Sequence, residues 1–357
     1  GYLALCEDNL PDPSIALPNE HFNTVLYAGD NTSPKSITGV GFDPEFVWVK
    51  NRTSGSYGHY LWDAVRGTDK NLRSDGSFSE AAVSGASNGI VSTNTTDGFI
   101  TKAGGSGSNN VNGTGSSYVA WNWKAGGTPV SNTDGTITSS VSANPTAGFS
   151  IASYTGNATT GATVGHGLSQ APEMLIVKQR DATKNWSVLA NSDPTDYIML
   201  NSANATADDD RFWNDTNPSA SVFTLGSIDW VNANTNTYIA YCFHSVEGYS
   251  KVGSYTGNGT NDGPFVYTGF RPAFLLIKRL NATGVWPMFD NKRVGYNWDN
   301  RQLRANEITA EETFNTFIDI LSNGFKCKNN AADKNASGST YTYLAFAESP
   351  FKYSNAR

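Results

Sequence analysis

The sequence contains few cysteines and few charged residues. Its 357 residues include only three cysteines, an odd number without a C-x-x-C spacing, so we expect neither a disulfide framework nor a cysteine metal site at Cys6, Cys242 and Cys327. Charged residues make up 16%, and the net charge of −7 comes without any basic run, which argues against a nucleic-acid partner. No apolar stretch reaches the roughly 18 residues of a membrane-spanning helix, so membrane insertion is not expected.

Catalytic motifs are also missing. The chain has four histidines, in no metal-ligand spacing: His21, His59, His166 and His244. No P-loop occurs, and the one G-x-S-x-G spacing, GASNG at 85–89, lies in a stretch of turn residues and not between a strand and a helix, so no nucleophile elbow is assigned. The acidic run 208–210 and the loop 256–263 have the composition of calcium sites, but a solvated loop is the simpler interpretation of both. We therefore assign no catalytic, cofactor-binding or metal-ligating residue and no cofactor, and expect no enzymatic activity, although 32 acidic residues leave a glycosidase-type carboxylate pair open.

What the sequence does contain is one motif written three times. The apolar runs FVWVK (46–50), MLIVK (174–178) and FLLIK (274–278) each end in a lysine. A Tyr-x-Gly precedes each lysine by about the same distance, and a glycine, a proline and a trailing arginine recur around each run. The repeated positions are Tyr27, Tyr154 and Tyr255; Gly41, Gly167 and Gly269; Pro44, Pro172 and Pro272; Arg52, Arg180 and Arg279. Each copy closes on a tyrosine–alanine–aromatic strand, which we align at Tyr118, Tyr238 and Tyr343. Such agreement indicates one unit of small-domain size used three times.

The pattern inside a unit is β. The runs are apolar on both faces, as in strands buried from both sides, and turn signals rich in Gly, Asn and Ser separate the strands. We predict an all-β chain of three tandem antiparallel β-sandwiches, jelly-roll or lectin-like, of about 100 residues each. The predicted boundaries are an extended arm at 1–22, repeats at 23–124, 148–247 and 248–357, and a linker or β-ribbon at 125–147. The best helix candidate is 309–321, and the predicted core includes Trp48, Val49, Ile176, Leu276 and Ile277.

Polar residues repeat as well. Asp63 and Arg66 in the first copy match Asp290 and Arg293 in the third, whereas the second copy lacks the pair. An aspartate and an arginine three apart can fix a corner by a charge-assisted hydrogen bond, which we prefer to a ligand-binding acid. A leucine followed by an acid eight residues later also recurs, which indicates a shared hairpin: Leu72/Glu80, Leu200/Asp208 and Leu303/Glu311. The lysines that end the runs are expected to reach solvent or a carboxylate: Lys50, Lys178 and Lys278.

Several longer strings carry a family resemblance. They include NLPDPSIALP, GVGFDPEFVWVKNR, YVAWNWKAGG, NTDGTITSSVSAN, YIAYCFHSVEGYSKVGSYTGNG and DGPFVYTGFRPAFLLIKR. Together they resemble the C-terminal repeat region of structural proteins of tailed bacteriophages, especially marine phages, which are described as tail-fibre or virion proteins. In such proteins a string like GYLALCEDNLP follows a SPRY-like, lectin-type domain, so the resemblance implies that Gly1 continues an upstream domain.

The resemblance implies a component of the virion, without catalytic residues to carry over. Tandem β-domains would give an appendage its length, and many copies would turn weak contacts into strong attachment. We expect a tail fibre or spike that contacts host-surface glycans and other virion proteins. A purely structural capsid decoration or tail collar is the alternative, and a polysaccharide-degrading tailspike is a weaker one. Because exposed sheet edges favour association, we also expect a homo-oligomer, with a trimer favoured.

Overall fold

The computed structural model describes residues 12–82, 89–93, 96–102, 110–191, 193–293, 297 and 299–354. The predicted all-β class is confirmed, because antiparallel sheets form the described part of the chain and its helices are single turns. Residues 1–11 of the predicted arm, including Cys6, lie outside the described residues. Of the rest of the arm, Ile15 is buried, Pro18–Glu20 is a short 3₁₀ turn and Phe22 begins the first strand.

Three sets of strands correspond to the three copies of the motif. Unit one contains β1 (Phe22–Ala28), β2 (Lys35–Ile37), β3 (Phe46–Asn51), β4 (His59–Asp63), β5 (Lys70–Asn71), β6 (Ala81–Ala82), β7 (Gly89–Thr93), β8 (Phe99–Lys102) and β9 (Ser117–Trp123). A ribbon follows, made of β10 (Val130–Asn132) and β11 (Ser139–Asn144).

Unit two contains β12 (Phe149–Thr155), β13 (Ala162–Gly165), β14 (Met174–Gln179), β15 (Ser187–Ala190), β16 (Asp196–Met199), β17 (Ala207–Asp208), α1 (Asp210–Trp213), β18 (Val222–Leu225), α2 (Asp229–Asn232) and β19 (Thr237–Phe243). Unit three contains β20 (Ser250–Thr256), β21 (Phe265–Tyr267), β22 (Phe270–Arg279), β23 (Pro287–Asp290), β24 (Asp299–Arg304), β25 (Glu312–Leu321), β26 (Gly324–Cys327), α3 (Ala332–Asn335) and β27 (Thr340–Pro350); a 3₁₀ turn at Phe351–Tyr353 follows.

In each unit the motif strand lies inside a sheet, as predicted. The strand orders are β1-β9-β3-β4 in unit one, β12-β19-β14-β15 within the larger sheet of unit two, and β20-β27-β22-β23 within that of unit three. A second layer, β2-β8-β7 in unit one, covers one face of this sheet and encloses a core of its own. The opposite face of each four-stranded sheet points away from that core and must pack against another part of the chain to be buried.

That second face explains why the motif strands are apolar on both sides. Alternate residues of β3, β14 and β22 enter the unit cores, and the residues between them enter one large cluster shared by all three units. All five predicted core residues are buried. Trp48, Ile176 and Leu276 lie in the shared cluster, whereas Val49 and Ile277 lie in the cores of their own units. Because the units share this core, the three copies form one block.

The units contact one another in cyclic order. At the start of the strand after each motif strand, a histidine or tryptophan ring nitrogen is bonded to a backbone carbonyl of the next unit. His59 is the first residue of β4, and Trp186 and Trp286 directly precede β15 and β23. His59 Nε2 lies 2.9 Å from Arg304 O, Trp286 Nε1 donates to Met199 O over 3.0 Å, and Trp186 Nε1 donates to Arg73 O over 2.9 Å. Unit one thus contacts three, three contacts two, and two contacts one, which is the contact pattern of a closed ring of three.

The structure corrects four details of the predicted alignment. Residues 312–321 form the strand β25, not the helix expected at 309–321. The tyrosine equivalent to Tyr118 and Tyr238 is Tyr341, two residues before Tyr343, because the three stack in the same way on the Tyr-x-Gly tyrosines. In unit two, the positions of the repeated leucine and acid are occupied by Ile198 and Thr206, not by Leu200 and Asp208. The strand register shows this, because Ile198 pairs with Val188 as Leu303 pairs with Met288. The position of Arg52 and Arg180 is held in unit three by Leu280, not Arg279.

The segment predicted as a linker or ribbon is a β-ribbon attached to unit two. Strand β11 pairs antiparallel with β12, and β10 pairs with β11. Ile137 and Val141 are buried in the core of unit two. This segment therefore completes one side of unit two and does not span free between units.

Candidate functional site

The predicted Asp63–Arg66 pair is buried at the boundary between units one and two. Arg66 donates from its backbone N to Asp63 Oδ1 over 2.8 Å, and its side chain forms an ion pair with the same carboxylate. Glu80 extends the cluster, because it receives a bidentate contact from Arg180 of unit two at 2.9 and 3.1 Å. Tyr241 of unit two donates its hydroxyl to Asp63 over 2.7 Å. Despite burial, the negative charge of Asp63 raises the pKa of Arg66.

The Asp290–Arg293 pair repeats this arrangement at the boundary between units three and one. Arg293 donates from its backbone N to Asp290 over 2.9 Å, and Arg52 of unit one contacts Glu311 at 2.9 and 3.0 Å. Trp121 of unit one takes the place of the tyrosine and donates to Asp290 over 3.0 Å. Burial opposes ionisation of Glu311, but the hydrogen bond from Arg52 lowers its pKa overall. The predicted structural role of both pairs is thus supported, and the sequence missed that each pair joins two units.

At the third boundary, between units two and three, every member of the cluster is replaced. Ala190 stands at the position of the aspartate, Asp193 at that of its arginine partner and Thr206 at that of the glutamate. Across the boundary, Leu280 replaces the arginine and Leu344 the tyrosine or tryptophan. One backbone contact persists: Thr206 N donates to Leu280 O over 2.9 Å, as Glu80 N does to Arg180 O and Glu311 N to Arg52 O. Because all five groups are replaced together, no member of the charged cluster is left without its partner among the described residues of this boundary.

The three lysines that end the motif strands contradict the expectation of solvent or a carboxylate. All three are fully buried, and their ammonium groups donate to backbone carbonyls of the hairpin loop that follows. Lys50 bonds Tyr57 O over 2.9 Å and Lys178 bonds Ala182 O over 3.3 Å, whereas Lys278 bonds Gly284 O. Burial lowers the pKa of Lys50 and of Lys178 to about 8 and that of Lys278 to about 7. These lysines close loops and do not form a site.

The histidines and the acidic loops are also used inside the fold. His59 and His166 are buried, and burial lowers the pKa of His59 to about 3 and that of His166 to about 4. Asp209 of the acidic run caps α1 by accepting from Arg211 N over 3.1 Å, and Asn258 of the loop 256–263 binds Asn335. Within the described ranges, no group of three or more His, Cys, Asp or Glu side chains could hold a metal ion.

An open groove lies where unit one meets unit three. We call it the Phe78 groove; its principal lining residues are Arg73, Asp75, Phe78, Asn306, Glu307 and Ile308. The Phe78 side chain is 49% exposed, and the Arg73 guanidinium carbon lies 4.5 Å from its ring centroid. The groove has a volume of about 540 Å³. An exposed ring beside carboxylate and amide groups can pack on an apolar face and bond hydroxyl groups at the same time.

The positions of the polar side chains of this groove are fixed from below. Asp75 accepts from His59 N over 2.7 Å, and Asn306 accepts from Trp286 N over 2.9 Å. Sequence reasoning did not find the groove, because its two halves lie more than 200 residues apart and neither carries a motif.

Fold and site together define an all-β block of three units without an assembled metal centre in the part that the structure describes. None of the described helices is long and apolar enough to cross a membrane. Residues 17–350 match the family described as a domain of unknown function, DUF7483, and the chain belongs to that family. The matched range spans all three units and the ribbon. No curated protein and no solved structure matches the chain.

Proposed function

We propose that this chain is a structural component of a bacteriophage particle, in a tail fibre or spike, and that it contacts host-surface glycans. The long strings that resemble those of phage virion proteins support the particle assignment. The block architecture supports it too, because a ring of three units with a common core is a rigid part that can carry loops outward. The charged groups at two unit boundaries form ion pairs that hold those units together.

The Phe78 groove is the observation that carries the binding part of the proposal. Saccharides present alternating apolar faces and hydroxyl edges, and they bind to exposed aromatic rings flanked by fixed polar groups. Phe78 supplies the ring, and a bond from a backbone N–H holds Asn306 in place beside it. The buried carboxylate of Asp75 accepts from His59 N and pairs with Arg73, so it holds the Arg73 guanidinium next to the ring. Low affinity at a single groove is compatible with attachment, since a particle presents many copies.

Binding of purified host polysaccharide to the chain tests this proposal. We expect saturable binding that Phe78→Ala weakens by about tenfold, equivalent to about 1.4 kcal/mol. Phe314→Ala is the matched control, because Phe314 is 60% exposed on β25 of unit three but does not line the groove. Equal loss in both variants, or no binding to any envelope polysaccharide of the host, would contradict glycan attachment and leave a purely structural part.

Absence of enzymatic activity belongs to the same proposal. Incubating the chain with the bound polysaccharide should leave its length unchanged by size-exclusion chromatography. Appearance of shortened chains or new reducing ends would assign the protein to the polysaccharide-degrading tailspikes instead.

Self-association completes the proposal. Strand β10 is the outermost strand of the sheet of unit two, and its Val130 is exposed. An uncharged edge strand of this kind is a site for pairing between copies. We propose a homo-oligomer, with a trimer favoured, and expect Val130→Lys to weaken it. Sedimentation velocity at micromolar concentration measures this directly, and a mass of one chain would contradict it.

A further inference from the structure

The sheet of unit three has two edge strands that approach each other across an open side. Its strand order begins with β20 and ends with β21. A groove lies between them, and its lining includes Ser250 and Lys251 of β20 and Tyr267 of β21. Lys251 Nζ crosses the gap and donates to Tyr267 O over 3.2 Å. We call this space the edge groove of unit three.

In unit two, the ribbon covers the corresponding space. Strand β11 pairs with β12 along its whole length, from Ser139 opposite Tyr154 to Asn144 opposite Phe149. The ribbon also bridges to β13, because Ile137 pairs with Val164 and Ile137 N donates to Thr163 O over 2.9 Å. One extended segment thus closes the gap between the two edges of unit two.

The pairing registers define which residues of unit three correspond to those covered positions. Tyr255 opposite Tyr341 matches Tyr154 opposite Tyr238, so Ser254 occupies the place of Ser153, which the ribbon covers. On the other edge, Val266 opposite Phe325 matches Val164 opposite Phe223. Phe265 therefore stands where Thr163 bonds the ribbon.

These positions are open in unit three. Ser254 and Thr256 are exposed, and the side chain of Phe265 is 46% exposed. The outer edge of β20 is covered at Ser250 by Val246 and at Val252 by the Ser245 hydroxyl. Among the strands that the structure describes, none pairs with that edge at Ser254 or with the outer edge of β21. We propose that the open side of unit three next to the edge groove binds an extended peptide strand from another protein, which pairs with β20 at Ser254 and with β21 at Phe265 as the ribbon does in unit two. This proposal stands independently of glycan attachment.

The open side also specifies the chemistry of that strand. In unit two, Val141 of the ribbon packs beside Ala152 in the core. In unit three the residue equivalent to Ala152 is Gly253, and a Cβ there would lie 2.6 Å from the Tyr343 hydroxyl. The Tyr343 hydroxyl thus lies at the place of the Ala152 methyl group, beside which Val141 packs in unit two. The bound strand should carry a small residue, serine or glycine, at that position and an apolar residue facing Phe265 and the 55% exposed ring of Tyr267.

A peptide explains the open groups better than a saccharide does. The outer edge of β20 at Ser254 and Thr256 and that of β21 at Phe265 present backbone donors and acceptors at strand spacing, which an added strand satisfies in sequence. The ribbon shows that this protein already uses such pairing at the same place in another unit.

Two synthetic peptides of residues 130–144 test the proposal, one with the natural sequence and one carrying Val141→Ser. We expect the Val141→Ser peptide to bind the full chain with a dissociation constant below about 1 mM and more tightly than the natural peptide. Hydrogen exchange should show new protection at residues 254–256 and 265. Ser254→Pro, which removes an outward N–H and blocks the edge, and Phe265→Ala should each weaken binding by about tenfold. Phe314→Ala, an exposed aromatic of the same unit, should bind like the wild type.

Three results would overturn the proposal. The first is no saturable binding of either peptide. The second is protection confined to residues 151–155, which would mean that the peptide displaces the chain's own ribbon. The third is competition between host polysaccharide and the peptide, together with equal loss of peptide binding in Ser254→Pro, Phe265→Ala and Phe314→Ala. That result would assign the space to a saccharide. If Ser254→Pro fails to fold, Phe265→Ala compared with Phe314→Ala still decides the question.

Discussion

Trp48 donates its indole N–H to Nδ1 of His59 over 2.8 Å, with both side chains buried. The other ring nitrogen of His59 lies 2.9 Å from Arg304 O, so the neutral ring carries its proton on Nε2. In units two and three the same two positions hold Ile176 with Trp186 and Leu276 with Trp286. In unit one a large residue on the motif strand is thus paired with a smaller ring on the next strand. In units two and three an aliphatic residue on the motif strand is paired with a tryptophan.

Exchanging the two sizes should therefore show strong coupling. Trp48→Leu alone leaves a cavity and removes the donor to His59, which should cost about 3–5 kcal/mol of unfolding free energy. His59→Trp alone overfills the shared core, at about 1–3 kcal/mol. The double variant reproduces unit three and should be more stable than the sum of the single losses by about 1–3 kcal/mol. Urea unfolding of the four proteins measures this coupling, and simple additivity would contradict the equivalence of the units.

The buried imidazole of His59 also predicts loss of stability in acid. Burial lowers its pKa to about 3 from 6.5, so the unfolded chain binds the proton first as the pH falls. Its contribution is complete above about pH 6.5 and is lost as the pH falls toward 3. Between pH 7 and 4.5 this group should account for about 2–3 kcal/mol. The Trp48→Leu/His59→Trp variant lacks the imidazole, so its unfolding free energy should fall less over the same interval.

The buried lysines predict a further rise of stability with pH, in the alkaline range. Burial lowers the pKa of Lys278 to about 7, so above that pH the folded chain binds fewer protons than the unfolded one. Stability should rise from pH 7 to 9, with Lys278 contributing about 2 kcal/mol of the increase. Lys278→Met should flatten this rise, whereas Lys184→Met, at an exposed surface pair, should leave it unchanged. Equal slopes in both variants would place the Lys278 ammonium in contact with water.

The clusters at two of the boundaries predict unequal costs of removing acids. Asp63→Ala leaves the Arg66 guanidinium and the Tyr241 hydroxyl without their buried partner, which should cost about 3–5 kcal/mol of unfolding free energy. Asp262→Ala removes an exposed acid of an ion pair with Lys326 and should change stability little. Combining Asp63→Ala with the four other replacements found between units two and three should recover most of the loss. Chemical denaturation is the measurement, and similar small effects of Asp63→Ala and Asp262→Ala would contradict the role of the cluster.

The strands of the shared core could be predicted because their residue pattern is local. Runs such as FVWVK are apolar on both faces, which is enough to place them inside a sheet that is covered twice. The closing strand of unit three was misaligned because Tyr341 and Tyr343 lie two apart, so both fit a strand pattern with the same face. The strand β25 was mistaken for a helix because Ala310, Glu311 and Glu312 are good helix formers, and the pairing with β24 and β26 overrides that preference.

The ring could not be predicted from the sequence, since its contacts join residues that are far apart in the chain. Arg52 and Glu311 are separated by 259 residues, and nothing near either residue indicates the other. One signal was available, however. The lysines recur in all three units, but no carboxylate recurs at a fixed distance from them. This pattern indicates that the lysines bond to backbone carbonyls, which every residue provides.

Location on the particle is the measurement that tests the central claim most directly. The proposed function requires a phage whose genome encodes this chain, and purified particles of that phage can be labelled with gold-conjugated antibodies raised against the chain and viewed by electron microscopy. The proposed function predicts label on the tail appendages of intact particles, in a constant number of copies per particle by quantitative mass spectrometry. Particles without label, with the chain recovered only from the lysate that remains after particle purification, would contradict a structural role in the virion.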